Sequence, residues 1–108
     1  MATARMPQPT ADDPVRVDPK HYKVEFENDR VRVLRIKYGP GEKSVMHSHP
    51  ESISVFLTDT HGKFTYPDGR TEDINANAGT VLHMDAFTHL PESTSKTPFE
   101  VIAVELKR

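Results

Sequence analysis

The sequence predicts an all-β protein, an antiparallel β-barrel or jelly roll. Three observations predict it. Apolar and polar residues alternate with period two over short runs; Gly, Pro, Asn and Asp punctuate those runs at close intervals; and no window combines helical spacing with capping residues. At 108 residues the chain matches one domain. Hydrophobic residues at 35% and charged residues at 28% are the composition of a globular protein with a polar periphery.

Residues 1–20 contain Pro7, Pro9, Pro14 and Pro19 and little apolar content, which predicts an extended arm. A single barrel domain is expected over 21–108. It opens with period two: Tyr22, Val24 and Phe26 on one face, Lys23, Glu25 and Glu27 on the other, then a turn at Asn28-Asp29. In "RVRVLRIKY" the phase changes between Val33 and Leu34, which reads as a bulge or as a strand buried on both faces.

"GPG" at 39–41 turns the chain into the short runs "SVMHSH" and "ISVFLT". "DTHG" and "PDGR" read as turns on either side of "KFTY". "TEDI" follows, then the punctuation "NANAG", then "TVLHM". "FEVIAVEL" is nearly continuous in apolar residues and is expected at the centre of a sheet.

The formal net charge of −2 builds in no attraction to phosphate backbones or anionic lipid, so nucleic acid and membrane partners are not expected. With no apolar run of signal-peptide or membrane-span character, the expected location is cytoplasmic. Cysteine is absent, so a transition-metal site has to be built from imidazole and carboxylate, which suits Fe(II), Mn, Ni or Zn. His47 and His49, two apart, present their rings to one face of a strand, a spacing that suits one ion but is weak by itself.

Gly41, five residues, His47, one residue, His49 resembles the opening of the first cupin motif, and Gly79 followed by "TVLHM" and "DAFTH" resembles the second. The resemblance covers roughly residues 30 to 107 and implies a small single-domain cupin, a β-barrel that holds one divalent metal. Carried over residue by residue, it makes His47, His49 and His89 the metal ligands. The family's glutamate has no counterpart, because its slot falls on Ile53 or Ser54. In the second motif Asp85 replaces a proline, Phe87 replaces a glycine, and His89 comes one residue early.

A three-histidine site is chemically sound and leaves coordination positions open. Glu51 shares the phase of His47 and His49 and is a candidate replacement carboxylate, against which Pro50 predicts a turn. Ser54 is a candidate to hold a water or orient a ligand, with packing as the alternative. His83 is a candidate acid or base, with a structural role or support of a ligand as the alternative. Met46, Met84, Phe56 and Phe87 read as an apolar wall or as core. Glu92 reads as an acceptor for an imidazole N–H or as a rim ion pair. His21 and His61 are expected to face solvent.

These residues imply a metal-dependent enzyme acting on a small organic substrate, dioxygenase-like or isomerase-like. The alternative is a non-enzymatic cupin that binds or senses a small molecule or metal, and a purely structural role is a third reading. The arm and "HYKVEF" offer an edge that crosses to a second subunit, which predicts a homodimer.

Overall fold

The computed structural model describes residues 12–107. A single helical turn, α1 (Pro14–Val17), precedes nine strands: β1 (Tyr22–Glu27), β2 (Val31–Tyr38), β3 (His47–His49), β4 (Ser52–Phe56), β5 (Thr60–Thr65), β6 (Thr71–Ala76), β7 (Val81–Met84), β8 (Phe87–Ser93) and β9 (Phe99–Leu106). They form two antiparallel sheets, ordered β1-β2-β9-β4-β7 and β3-β8-β5-β6. The expected all-β barrel architecture is the one observed. No helix among the described residues is long and apolar enough to cross a membrane.

β9 lies between β2 and β4, and strict alternation sorts its residues. Phe99, Val101, Ala103 and Glu105 are buried, while Glu100, Ile102, Val104 and Leu106 are only partly covered. The inward row meets Tyr38, Ile36, Leu34 and Arg32 of β2 and, on its other side, Phe56, Ser54 and Ser52 of β4. With Tyr22 and Ala76 the apolar members of these rows make the core. The core is small because the barrel encloses a cavity.

Two of the motif glycines are required by backbone geometry. Gly41 has φ +71° and Gly79 has φ +89°, left-handed values that a Cβ disfavours.

Several expectations need correction. The extended arm contains one helical turn, because Asp13 caps it (Val15 N donates to Asp13 Oδ1 at 3.2 Å) and Pro14 stands where a missing N–H costs nothing. The part of the arm at residues 1–11 lies outside the described residues. Of the apolar face expected for β1, only Tyr22 is buried; Val24 and Phe26 are 42% and 52% exposed. β1 is an edge strand, and its register shifts between Val24 and Phe26, so the bulge falls here and not in β2, which pairs without a break along β9.

His61, read as part of a turn, lies within β5 and is exposed, with Nδ1 2.7 Å from Asn75 Oδ1 across the β5–β6 pair. His21, expected at the surface, is 5% exposed, stacked on Tyr38 with ring centroids 4.1 Å apart. Its two ring nitrogens stand 2.7 Å from Asp18 Oδ2 and 3.1 Å from Glu42 Oε1, which satisfies a ring that would otherwise be costly to bury.

Candidate metal centre

β3 and β8 pair with His47 directly opposite His89. Because His49 lies two residues along β3, all three rings project to the same inner face. His47, His49 and His89 are 0%, 8% and 4% exposed. His47 Nε2 lies 3.0 Å from His49 Nε2 and 3.1 Å from His89 Nε2.

The opposite ring nitrogens fix which lone pairs converge. His47 Nδ1 stands 2.8 Å from the Val45 carbonyl, which can only accept, so this nitrogen carries the hydrogen. His49 Nδ1 stands 3.3 Å from Glu105 Oε2 and donates to that carboxylate. Burial, reinforced by the neighbouring His49, pushes the His47 ring down to about 4, so it is neutral at pH 7. The Nε2 lone pair of His47 therefore points at His49 Nε2 across 3.0 Å, a separation that a shared cation can bridge. Two nitrogens each about 2.1 Å from one ion at a right angle stand about 3.0 Å apart, so the donor set fits a divalent transition metal.

His89 is held differently. Its Nδ1 is buried without a hydrogen-bond partner. Packing orients the ring instead: Phe64 and Phe87 meet it edge-on, with centroids 4.3 Å and 4.4 Å away. Burial, with His49 and His47 adding to it, pushes His89 down to about 2.

Sequence reasoning missed the support behind His49. Glu105, 2% exposed, also accepts from Arg32 Nε at 2.7 Å. The Arg32 guanidinium in turn clamps both Asp13 carboxylate oxygens at 2.8 Å and 2.9 Å. An unbroken run, Asp13–Arg32–Glu105–His49, thus ties α1 to the site. The signal was in the sequence: Arg32 and Glu105 share the inward phase of two apolar strands, where a charge has to be paired.

The candidates fall into two groups. Ser54 lies on the inner wall of a cavity of about 80 Å³ that His49 and His89 also line, and its hydroxyl donates to Met84 Sδ at 3.8 Å. Met84, Phe56 and Phe87 line it too, whereas Met46 does not. His83 is placed on the outer face of its sheet, exposed, with Nε2 2.7 Å from Glu51 Oε2. The phase of β7 sends Met84 inward and His83 outward. Glu51 is accordingly turned away from the three histidines, as the Pro50 turn predicts, and does not replace the missing carboxylate. Glu92 borders the cavity, with its carboxylate 3.8 Å from Lys63 Nζ, a rim ion pair.

Solved structures share this fold. A cupin domain from Bordetella pertussis matches with a TM-score of 0.74 at 22% identity, covering 81% of this chain and 92% of that one. An uncharacterized protein with a double-stranded β-helix domain from Klebsiella pneumoniae matches at 0.64 and 17%, covering 80% and 75%. A predicted oxalate decarboxylase from Thermotoga maritima matches at 0.52 and 25%, covering 75% and 70%. No protein-family model and no curated protein matches the sequence. The chain has the fold of a small, single-domain cupin, and its buried three-histidine group fits a metal-binding member of that class.

Proposed function

We propose that this protein binds one divalent transition metal through His47, His49 and His89 and acts as an enzyme on a small organic substrate in the adjoining cavity. The observation that carries this reading is the convergence of the three Nε2 atoms with the outer nitrogens of His47 and His49 already committed to Val45 and Glu105. Fe(II), Ni, Mn and Zn all suit three neutral imidazoles. Such an ion supplies Lewis-acid polarisation of a substrate oxygen or, if redox-active, activation of dioxygen, which are the isomerase-like and dioxygenase-like versions of the proposal. The chain's own contribution is to hold the rings in place, to exclude bulk water with aromatic and aliphatic walls, and to offer the Ser54 hydroxyl to a bound oxygen.

A second reading, a non-enzymatic cupin that binds or senses a metabolite, is favoured by one observation. His83, the residue expected to supply acid-base chemistry, is on the outer face.

Elemental analysis of the purified protein beside the His47→Ala/His49→Ala variant is the test. Near-stoichiometric metal in the wild type and none in the variant is the expected result. No metal in either, together with no rise in Tm on adding Fe(II), Ni, Mn or Zn, removes the proposal. Oxygen uptake or product formation then separates the enzyme from the binding module, since a sensor returns its ligand unchanged. A homodimer is part of the proposal, supported by the edge position of β1 and the exposure of Phe26 and Val24.

A further inference from the structure

We infer that the cavity takes a ligand with a single oxygen-chelating head group and an uncharged, apolar body, and that it discriminates against molecules carrying a second negative charge. The inference rests on the metal reading above for the head group and on the cavity walls alone for the body.

Among the described residues, no lysine or arginine lines the cavity. Its ionisable lining groups are two of the candidate ligand histidines, Tyr22, Tyr38 and Glu92. The two tyrosine hydroxyls are 2.6 Å apart, one donating and the other accepting, so the pair offers a ligand at most one O–H and no positive charge. Glu92 is an acid already paired with Lys63. The remaining wall is largely hydrocarbon and aromatic: Ile36, Phe56, Phe64, Ile74, Met84 and Val101. A carboxylate or phosphate set against that wall loses its hydration and finds no cation in exchange. An alkyl or aryl group set there gains by leaving water.

Among the polar groups on the wall, the Ser54 hydroxyl is weakly engaged. Ser54 Oγ donates to a thioether at 3.8 Å, a poor bond that a ligand carbonyl or hydroxyl oxygen outcompetes. Thr60, by contrast, donates to the Thr58 carbonyl at 3.1 Å. The cavity of about 80 Å³ exceeds the ~10–15 Å³ that one water occupies, yet it suits only a compact molecule.

A matched pair of 2-oxo acids isolates the tail. 2-Oxopentanoate and 2-oxoglutarate present the same chelating head and the same chain length, and differ in ending with a methyl group or a carboxylate. Both are titrated by calorimetry into protein whose metal content is measured in the same sample. In parallel, the methyl resonances of Ile36, Ile74, Val101 and Met84 are followed by NMR with and without metal.

At least tenfold tighter binding of 2-oxopentanoate, with shifts at those methyls, is the expected result, and Ser54→Ala is expected to weaken it by about threefold to tenfold. Equal or tighter binding of 2-oxoglutarate to metal-loaded protein overturns the inference, as does a failure of 2-oxopentanoate to bind. If the protein takes up no metal, the proposed function falls. The inference is then decided by the methyl shifts alone: perturbation by 2-oxopentanoate and not by 2-oxoglutarate upholds it, and no difference overturns it.

Discussion

At the scale of single residues, the site depends on which nitrogen of each imidazole holds its hydrogen. Glu105 does this for His49, and a carboxylate behind a ligating ring typically changes metal affinity by 10–100-fold when removed. Glu105→Gln is therefore expected to weaken metal binding by about that factor, as read by competition with a chromophoric chelator. An unchanged affinity would mean that packing alone positions His49. The depressed His47 and His89 also set a pH dependence for metal-free protein. Their folded values, about 4 and about 2, lie below the ordinary histidine value of 6.5, so the unfolded chain binds more protons between pH 6.5 and 4. Stability is fully present above that window and is lost as pH falls through it, by up to ~1.4 kcal/mol per pH unit for each ring. Urea unfolding at pH 7 and pH 5 is expected to show a drop of roughly 2–4 kcal/mol, and a flat profile would contradict the neutral, buried rings.

Individual elements show where local rules meet tertiary constraint. α1 is a single turn, too short to be stable by itself, and it persists because Asp13 both caps it and meets Arg32. Burial alone would raise the Asp13 carboxyl, but the hydrogen bonds and charge of Arg32 bring it below the usual carboxylate range. Asp13→Ala removes a cap and one partner of a largely buried pair, so a loss of about 2–3 kcal/mol is expected in denaturant unfolding, with a smaller effect on metal affinity than Glu105→Gln. On β5, Gly62 packs against β8 so closely that an added Cβ would lie 3.0 Å from the Glu92 carbonyl oxygen. The obstacle is backbone and cannot rotate away. Gly62→Ala is expected to cost about 1–3 kcal/mol by thermal unfolding.

The whole molecule is two sheets closed around a cavity, and among the described residues β1 is an edge strand that pairs only with β2. Pairing of that edge with a second copy would cover Phe26 and the unpaired backbone groups beside it. Light scattering at micromolar concentration is expected to give a dimer mass, and Phe26→Lys a monomer that remains folded. A monomeric wild type would set the exposed edge down as a tolerated surface. Metal binding acts on the molecule as a whole, since an ion at a hundred times its Kd adds about 2.7 kcal/mol of stability. The rise in Tm should vanish in His47→Ala/His49→Ala.

Strand character, most turn positions though not the one read at "DTHG", and the pairing of His47 with His49 were legible in the sequence, because each depends on period-two alternation and on residues within one short run. Motif resemblance added His89, forty residues away from His49, and β3–β8 pairing places it opposite His47. What only the tertiary structure decided were phases and partners. Val24 and Phe26 alternate as core residues do, yet among the described residues of β1 only Tyr22 is buried. His83 and Met84 are neighbours whose assignment to outside and inside depends on how β7 pairs with β4, a long-range fact. His21 is polar and sits at a strand's start, and only the arrival of Asp18, Glu42 and Tyr38 makes it a buried, satisfied ring. Alternation is a property of the local backbone and can be read along the chain. Which face becomes the inside is set by contacts between strands far apart in sequence, and those exist only once the barrel has closed.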